Sequence, residues 1–597
     1  MTDKFVIATA GHVDHGKSAL VRALTGTETD RWAEERERGL TIDLGFAEMT
    51  LGSGRSVSFV DVPGHERFVG NMLAGLGPAP IVCLVVAADE GWQAQTSEHR
   101  DAIKALGIAH GIVVMSRVDL GAENVEIVTE QIRDELADTG LADAPIVATS
   151  AVDGTGLDEF RTTLESLLDQ VPAADPKAPI RYWIDRAFAI KGAGTVVTGT
   201  LAAGTLQVDD TLELAGSPTE VSIRSLQSHG STTETLTPVT RAAVNLRGVK
   251  VDDVTRGDVL VTPGAWWYTD VIDVVGTEDV DFTDLAQEFS IHIGTATCYA
   301  HCRPLSPRFA RLNLDRPLPL HIGDRFILRG TGRRLITGGA TVVDLEPPPL
   351  RRRGAAKRRA ATLGELTADN HLELEVARRG AVQRSQITAM GLPVPSALPE
   401  TVLAHQGWYV DRASLTDWTK QLKDAVTEHY AKDPSAGGIT QQAAVNVLAL
   451  PEATLLPLVV AEAGLAQAAG RVSDPNLQPT LGAAEQAIAT LEQRLTDDPF
   501  TAPTAHELEE LGLGEKELAA AAQQQRLVRL QDNIVLGPKA PALAMRQLVR
   551  LEQPFTAAEA RQALGTTRRT LIPLLEHLDE RGWTERIDGS LRQVTGR

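Results

Sequence analysis

The chain has 597 residues, far more than one hydrophobic core usually supports, so the sequence predicts several domains. Its formal net charge of −21 excludes a uniformly cationic coat, and any contact with RNA must therefore come from local basic patches. Three cysteines cannot form a disulfide framework, which excludes the disulfide-stapled class of small secreted proteins.

The first residues, Met1-Thr2-Asp3-Lys4, lead directly into an apolar strand and do not form the core of a signal peptide. No apolar run approaches the roughly 20 residues needed to span a bilayer. We therefore expect a cytoplasmic protein without a membrane segment.

Residues 11–18, Gly-His-Val-Asp-His-Gly-Lys-Ser, follow an apolar strand and precede a helix-like segment. The spacing is that of a P-loop, whose backbone N–H groups wrap a phosphate chain, and the flanking elements favour this interpretation over a plain glycine turn. Lys17 is expected at the outer phosphates, and the Ser18 hydroxyl at Mg²⁺. The phosphate-binding residues predicted from this loop are Asp14, His15, Gly16, Lys17 and Ser18.

Short apolar runs alternate with helical patterns up to about residue 171, as in a parallel sheet with both faces buried. Ligands of such sheets collect at the carboxyl ends of the strands. Asp61 follows one run and can hold Mg²⁺, and the Gly64 amide can sense a γ-phosphate. Asp119 follows another run, and its carboxylate can accept hydrogen bonds from N1 and N2 of guanine.

This ordered set resembles the translational GTPase family. The resemblance implies that GTP and GDP bind, that Asp119 with Ser150 and Ala151 reads guanine, that Thr41 completes the Mg²⁺ shell, and that His65 positions the attacking water. Ser116 and Arg117 stand where the family's base-reading motif has Asn and Lys, so those two contacts are not carried over.

Two longer segments, Arg38-Gly-Leu-Thr-Ile-Asp-Leu-Gly-Phe-Ala47 and Asp61-Val-Pro-Gly-His-Glu-Arg-Phe-Val-Gly-Asn-Met-Leu-Ala-Gly75, are more specific. They resemble the bacterial selenocysteine-specific elongation factors (the SelB family) more than elongation factor Tu. The resemblance implies binding of selenocysteinyl-tRNA, the ribosome and an mRNA hairpin near a UGA codon by a monomeric protein. It also makes Arg241 the candidate for the aminoacyl pocket, with an ordinary surface arginine as the alternative.

A proline-rich break at residues 171–179 precedes two strand-rich blocks, which predict two β-barrels. The second block contains Cys298-Tyr-Ala-His301-Cys302, but no second ligand pair follows, so a strand is favoured over a zinc site. The block ends in three prolines, and residues 351–359 then contain six cations. This run is either a solvated linker or a contact for RNA phosphates.

The remaining chain is rich in Ala and Leu, and Pro499-Phe-Thr-Ala502 is repeated as Pro554-Phe-Thr-Ala557. Each copy precedes two helical segments and a short β-like pair, which indicates a winged helix, and the remaining length fits four such units. The resemblance implies that the last unit recognises the mRNA hairpin. The RNA-binding candidates there are Arg568, Arg569, Arg586 and Arg592.

The predicted architecture is an α/β P-loop GTPase domain (1–172), two β-barrels (173–264 and 265–349) and a winged-helix array (350–597, last unit from about 541). The leading functional interpretation is GTP-dependent delivery of selenocysteinyl-tRNA at UGA codons. Three alternatives stay open: an initiation or stress GTPase, a nucleotide-regulated helix-turn-helix DNA-binding regulator, and a scaffold that hardly turns GTP over.

Overall fold

The computed structural model describes residues 4–29, 35, 41–192, 194–216, 220–330, 336–432, 438–477, 481–588 and 591–595. Most of the charged stretch 30–38, and the Arg38-Gly39-Leu40 part of the resemblance, lie outside the described residues. By its internal contacts the chain divides into two units, Met1–Leu374 with Gln383–Leu398, and Glu375–Val382 with Pro399–Arg597.

The amino-terminal part of the first unit is a six-stranded α/β sheet with strand order β2-β3-β1-β4-β5-β6. Its elements are β1 (Lys4–Ala10), α1 (Lys17–Thr25), β2 (Gly45–Thr50), β3 (Ser56–Asp61), α2 (Val69–Leu76), β4 (Ile81–Ala87), α3 (Ala94–Leu106), β5 (His110–Ser116), α4 (Val125–Leu136), β6 (Ile146–Ala148) and α5 (Leu157–Leu168). Only β2 pairs antiparallel. The inner strands β1, β4 and β5 are mostly apolar, and hydrophobic clusters cover both faces of the sheet, as predicted.

The next segment closes into a six-stranded antiparallel barrel in the order β10-β15-β7-β8-β14-β11, closed by pairing of β10 with β11. Its strands are β7 (Arg181–Ile190), β8 (Gly194–Leu201), β9 (Leu206–Gln207), β10 (Thr211–Leu214), β11 (Glu220–Ser228), β12 (Ser231–Thr233), β13 (Thr235–Leu236), β14 (Thr240–Arg247) and β15 (Val259–Val261). Tyr182 is fully buried inside it, and its hydroxyl donates to the Ala242 carbonyl at 2.7 Å. Alternating side chains thus fill the interior of a closed sheet.

A second closed barrel follows, in the order β16-β19-β18-β17-β20-β21. Its elements, with the helix after it, are β16 (Trp267–Gly276), β17 (Glu288–Ile293), β18 (Ala296–Pro304), β19 (Phe309–Leu320), β20 (Arg325–Arg329), β21 (Gly338–Asp344) and α6 (Ala355–Gly364). Closure removes the exposed strand edges in both barrels.

The rest of the chain is helical with small sheets, as expected for winged helices. Its elements are α7 (His371–Arg379), β22 (Ala381–Gln383), α8 (Arg384–Ala389), β23 (Val402–His405), β24 (Trp408–Asp411), α9 (Arg412–Lys432), β25 (Ile439–Thr440), α10 (Gln441–Leu448), α11 (Leu456–Glu462), β26 (Ala466–Ala468), β27 (Arg471–Ser473), α12 (Glu485–Asp497), α13 (Ala505–Glu510), α14 (Glu515–Gln523), β28 (Val528–Arg529), β29 (Val535–Leu536), α15 (Ala540–Leu548), β30 (Phe555–Thr556), α16 (Ala557–Leu564), α17 (Arg568–Glu580), β31 (Thr584–Arg586) and β32 (Leu591–Val594).

The two repeated sequences occupy equivalent places in this array. Phe500 and Phe555 are both buried, and Thr556 caps α16 by accepting a hydrogen bond from the Glu559 amide. Both phenylalanines belong to one hydrophobic cluster that runs from Leu481 to Leu578. The last two winged helices therefore share a core.

No single helix among the described residues is long and apolar enough to cross a membrane. One bent pair, Gln441–Leu448 with Ala453–Glu462, meets the requirement by length and composition alone, with an angle of 104° between its helices.

Candidate functional site

The loop between β1 and α1 forms a tight cradle that requires glycine at two places. Gly11 has φ +127°, and a Cβ there would lie 2.2 Å from the Val85 carbonyl oxygen. Gly16 has φ +83° and caps α1, and Asp14 also has a positive φ, of 64°. Successive amides in such conformations form a concave surface suited to an anion.

Two side chains from α3 hold the first amides of this loop. The Gly11 N–H donates to His99 Nδ1 and the Val13 N–H to Gln95 Oε1, each at 3.0 Å. Burial lowers the pKa of His99 well below its ordinary value, which keeps this imidazole neutral and able to accept. The phosphate-binding amides inferred from the sequence are those that follow, at residues 14–18.

Lys17 lies under the loop with 6% of its surface exposed. Its Nζ donates to the carbonyls of Gly11, at 3.0 Å, and His12, at 2.7 Å. A Cβ on Gly64 would lie only 2.6 Å from this Nζ, so the two predicted phosphate-sensing residues are brought together. Residue 64 must be glycine because a Cβ there would also lie 2.6 Å from the backbone nitrogen of Val13.

Two hydroxyl groups meet at the start of α1, and a buried carboxylate ends β3. Ser18 Oγ lies 3.1 Å from Thr41 Oγ1, and Asp61 is fully buried at the end of β3. The Asp61 carboxylate accepts hydrogen bonds from the hydroxyls of Thr9 and Thr29, both at 2.8 Å. Hydroxyl and carboxylate oxygens are the ligands that Mg²⁺ prefers, so this donor set fits the ion that the sequence predicts.

His65 lies at the start of the loop that leads into α2 and is partly exposed. Its Nδ1 accepts a hydrogen bond from the Arg67 N–H at 3.2 Å, and its ring lies 6.0 Å from that of Phe68. With Nδ1 as acceptor, the neutral imidazole carries its proton on Nε2, which leaves Nε2–H for a ligand.

The proposed base-reading residues meet at the ends of β5 and β6. The two strands are in register, and the Thr149 N–H donates to the Met115 carbonyl at 2.7 Å. Asp119 and Ala151 are exposed at this edge, whereas Ser150 is buried and its Oγ accepts from the Val152 amide at 3.3 Å. Ser150 thus shapes the loop through its side chain, while Asp119 faces the solvent.

The two positions that depart from the usual motif make their own contacts. Ser116 Oγ donates to the carbonyl of His15 at 2.6 Å and so ties the base-side loop to the P-loop. Arg117 has φ 57° and pairs with Asp89 at 3.0 Å and Glu90 at 2.6 Å.

Comparison with known proteins agrees with this geometry along the chain. Residues 3–173 match the Elongation factor Tu GTP binding domain and 194–261 match Elongation factor Tu domain 2. Residues 270–349 match the Selenocysteine-specific elongation factor, beta-barrel domain, and 546–590 match Elongation factor SelB, winged helix.

The chain is also similar to whole proteins. It is 33% identical to the selenocysteine-specific elongation factor of Escherichia coli, covering 97% of both chains, and 30% identical to that of Desulfomicrobium baculatum, covering 99% of this chain and all of the relative. The chain belongs to the selenocysteine-specific elongation factor family. A crystal structure of a bacterial selenocysteine-specific elongation factor superposes with a TM-score of 0.81 at 26% identity, with full coverage of both chains.

As a member of the selenocysteine-specific elongation factor family, the protein is a translational GTPase that binds guanine nucleotide. The predicted order of GTPase domain, two barrels and winged helices is confirmed. The full-length similarity does not favour the initiation or stress factor, or the DNA-binding regulator. The numerical domain bounds stay a prediction.

The segment that carries Thr41 is joined to the first barrel by charged contacts. Asp43 pairs with Arg186 at 2.8 Å and with Arg256 at 2.7 Å. Arg256 also donates to Asn71 Oδ1 at 2.5 Å, and Asn71 donates to the Ile42 carbonyl at 2.8 Å. Partial burial alone would raise the pKa of Asp43, but the hydrogen bond from Arg256 and the charge of Arg186 hold it below its ordinary value.

These contacts border a cleft of about 710 Å³. Its lining residues are Asp43, Asn71, Asp185, Arg186, Ala187, Phe188, Val254, Thr255 and Arg256. Its lining combines two arginines, two aspartates and Phe188, which is 40% exposed, and is therefore charged and aromatic.

Arg241 is not a surface arginine, since only 9% of it is exposed. Its guanidinium makes two hydrogen bonds to Asp185, one of them at 2.8 Å, and lies 3.8 Å from the centre of the Phe46 ring. The Asp185 carboxylate therefore compensates the positive charge of Arg241. Arg186 and Arg256 of the neighbouring cleft are half-buried and share one carboxylate, that of Asp43.

The winged-helix arginines fall into two groups. Arg568 and Arg569 are exposed at the start of α17, and Arg586 is exposed with its Nε donating to the Asp588 carbonyl at 3.0 Å. Arg592 is only 7% exposed and its Nε is bound by Asp579 at 2.9 Å. This burial contradicts the expectation that Arg592 reaches RNA, and we leave it out of the proposed surface.

Three threonines, Thr566, Thr567 and Thr570, lie next to Arg568 and Arg569 in the sequence. Thr566 is 9% exposed and its hydroxyl donates to the Phe500 carbonyl, and Thr570 is 2% exposed. Both side chains are therefore buried in the protein and stabilise it. Thr567 is exposed but caps α17 by accepting from the Thr570 amide.

The Cys298–Cys302 segment is part of β18, in which alternate residues are buried, as the pattern predicts. Cys298 donates to Asp315 Oδ1 at 2.6 Å, and burial raises the pKa of the Cys298 and Cys302 thiols to about 11. His301 is exposed between them. Among the described residues no group of three His, Cys, Asp or Glu side chains is placed to hold a metal ion.

Several site residues were not predicted from the sequence. Glu35 is 2% exposed, and its Oε1 accepts from the amides of Ile42, at 3.0 Å, and Asp43, at 3.1 Å, which shapes the Thr41 segment. The sequence before Thr41 is rich in charged residues, and nothing in it singles out one carboxylate. Thr9 and His99 gave no local signal because their partners are 52 and 88 residues away.

Proposed function

We propose that the protein delivers selenocysteinyl-tRNA to the ribosome at UGA codons in a GTP-dependent manner, guided by an mRNA hairpin bound to the last winged helix. The observation that carries the proposal is the continuous set of contacts from Ser18 and Thr41 through Asp43 to Arg186 and Arg256. These contacts connect the nucleotide site directly to the arginine-lined cleft on the barrel. A carrier that releases its cargo after GTP hydrolysis needs such a connection.

In the nucleotide site, the amides at residues 14–18 and Lys17 bind the phosphate chain, and Gly64 reports the γ-phosphate. Ser18, Thr41 and Asp61 would hold Mg²⁺, which neutralises charge on the phosphates. His65 orients the attacking water through Nε2, and catalysis then depends on positioning and electrostatic stabilisation.

At the other end of the nucleotide, Asp119 accepts from N1 and N2 of guanine, with the Ser150-Ala151 loop beside it. Ser116 supplies a link between this loop and the P-loop, through its 2.6 Å hydrogen bond to His15. This link accounts for how the site is held together without the usual Asn.

We assign amino-acid discrimination to the barrel cleft. A selenol is ionised at neutral pH, whereas a serine hydroxyl is not, so a cationic site favours the former by a charge-assisted hydrogen bond. Arg186 and Arg256 line the cleft. Arg241 stays in the proposal as a partner that the selenolate shares with Asp185, because its guanidinium has several donors.

The test is retention of charged tRNAs on nitrocellulose by the full chain, with GTP or GDP. Selenocysteinyl-tRNA should be retained more than seryl-tRNA, and more with GTP than with GDP. Equal retention of the two tRNAs would overturn the proposed function.

The Arg241 assignment has its own variants. Arg241→Ala and Arg241→Lys should both reduce the preference for selenocysteinyl-tRNA, since lysine cannot keep the bidentate geometry. Arg247→Ala is a matched control on the same strand, with an exposed ion pair to Asp209 at 2.9 Å. An unchanged preference in a folded Arg241 variant would remove this residue from the pocket.

A further inference from the structure

The basic run after the second barrel consists of one buried arginine at its end and five exposed cations before it. Residues 351–359 contain six Lys and Arg side chains, and no acidic residue occurs between Glu346 and Glu365. A stretch of this length with six basic residues and no acidic residue stands out in a chain with 79 acidic and 58 basic residues.

Arg359 is the anchored end. It is 8% exposed, its Nε donates to Asp273 Oδ2 at 2.7 Å, and its guanidinium also binds Asp344. Arg311 binds the same Asp273 carboxylate at 2.7 Å, so two arginines and two aspartates compensate one another in a buried set shared by the barrel and α6. Because breaking such a buried set is costly, α6 is fixed to the barrel.

The other five cations are exposed. They are Arg351, Arg352, Arg353, Lys357 and Arg358, which we name the 351–358 cation cluster. Within the described part of the chain, none of these five side chains forms an ion pair. By contrast, Arg311 and Arg359 beside them are both paired.

The cluster does not stabilise its own helix. Lys357 and Arg358 lie in the first turn of α6, which contains no acidic residue. Cations at this end interact unfavourably with the helix dipole, and five like charges close in sequence repel one another. A stabilising role therefore does not account for these charges.

We infer that the 351–358 cation cluster is a binding surface for the phosphodiester backbone of RNA. This inference rests on the proposed function, because that function supplies the RNA partners. Phosphates would relieve the repulsion within the cluster, and the fixed position of α6 means that no ordering of a flexible linker has to accompany binding.

The chemistry favours RNA over an acidic protein surface. Four of the five cations are arginines, whose planar guanidinium matches the geometry of phosphate oxygens. Because the cluster contains cations but no aromatic side chain, we expect contact with the backbone rather than with bases.

The test measures equilibrium binding of the full chain with GTP, over a range of NaCl concentrations. The probes are selenocysteine tRNA, purified 70S ribosomes, a hairpin RNA from a selenoprotein mRNA, and poly-L-glutamate as an acidic polypeptide. The variants are Lys357→Gln with Arg358→Gln, and separately Arg351→Gln with Arg352→Gln and Arg353→Gln. The control is Lys420→Gln with Lys423→Gln, two exposed cations on α9.

We expect the Lys357/Arg358 variant to lose about tenfold in affinity for at least one RNA. Its log–log salt slope should fall by about 1.5, the value for two lost phosphate contacts. The RNA probe whose affinity falls identifies the RNA that binds the cluster. Exchange of the two charges, Lys357→Arg with Arg358→Lys, should restore most of the affinity.

Unchanged affinity and slope on all three RNAs in both glutamine variants would overturn the inference. An equal loss in the Lys420/Lys423 control, or a loss on poly-L-glutamate alone, would also overturn it. If the unsubstituted chain binds none of the three RNAs, the proposed function itself fails. GTP binding and the unfolding temperature should be the same in all variants, since Arg359 is kept.

Discussion

In its proposed role, His65 acts on the attacking water through Nε2, since its Nδ1 accepts a hydrogen bond from the Arg67 amide. We predict that His65→Ala leaves GTP affinity nearly unchanged but lowers ribosome-stimulated hydrolysis by about 10²-fold or more, the scale of losing an orienting or charge-stabilising group. Phosphate release measured with and without ribosomes checks this. His110→Ala, at the start of β5, is the control. Full stimulated turnover in the His65 variant would contradict the assigned role.

Asp119 is exposed at the end of the sheet, and the proposed contact with guanine requires an accessible carboxylate. Asp119→Asn replaces an acceptor pair by an acceptor and a donor, so we expect affinity to move from GTP towards XTP. Competition between the two nucleotides for the full chain measures the change. Asp143→Asn, another exposed aspartate of this domain, should keep the preference for GTP. If Asp119→Asn also keeps it, another group reads the base.

His292 makes stability depend on pH. It is 5% exposed in the second barrel, and burial, with a smaller effect of Arg329, lowers the pKa of its imidazole from 6.5 to about 4. The folded state therefore binds fewer protons, and the stability contributed by the neutral imidazole is present above pH 6.5 and lost as the pH falls towards 4.

From this shift we expect His292 to contribute a loss of about 2 kcal/mol in the free energy of unfolding between pH 7 and pH 5. His292→Gln should remove that part of the pH dependence. Denaturant unfolding of both proteins at the two pH values measures it. Equal pH dependence in both would show that His292 does not titrate as described. The pKa of His321 is also lowered to about 4. This residue is present in both proteins, so its share of the pH dependence is the same in both.

At the scale of elements, the segment before β2 couples two domains through one carboxylate. Asp43 binds Arg186 and Arg256, and Arg256 reaches Asn71 and the Asp185 carbonyl, the latter at 2.8 Å. Asp43 follows Thr41 and Ile42 in the sequence, and its carboxylate contacts arginines of the first barrel. The contacts assign it the role of connecting the nucleotide side to the cleft.

We predict that Arg256→Ala reduces the difference between tRNA affinity with GTP and with GDP by about tenfold, since coupling energies between sites are typically 1–3 kcal/mol. GTP affinity itself should change much less. Filter binding with both nucleotides gives the two affinities, and Arg247→Ala is the control. A full GTP-dependent difference in Arg256→Ala would show that coupling runs through other contacts.

The elements that could be predicted from the sequence are those with local signals. The P-loop between strand and helix, the apolar strands and the repeated Pro-Phe-Thr-Ala segments all depend on residues close in the chain. Contacts between distant residues gave no such signal. Arg359 was grouped with the exposed run although Asp273, 86 residues away, buries it. Arg592 was taken as free although Asp579 binds it from α17.

At the scale of the whole molecule, a net charge of −21 means that RNA phosphates must be bound by local areas rich in exposed cations. Arg568 and Arg569 at the start of α17 are one such area, in the unit that matches the Elongation factor SelB winged helix. The last two winged helices share one hydrophobic cluster, and Thr566 donates to Phe500 of the preceding unit. The last unit is therefore better tested within the full chain than as an isolated fragment.

The last prediction concerns hairpin recognition by this unit. Arg568→Ala with Arg569→Ala should weaken hairpin binding by the full chain and flatten its log–log salt slope by about 1.5, since each lost phosphate contact removes roughly 0.7–0.9. GTP hydrolysis and tRNA retention should persist because the substituted residues lie in the second unit, apart from the GTPase domain and barrels in sequence. Lys420→Ala with Lys423→Ala removes the same charge from α9 and should leave hairpin affinity unchanged. Equal loss in both variants would indicate a general charge effect, and equal affinity for a scrambled hairpin would contradict specific recognition.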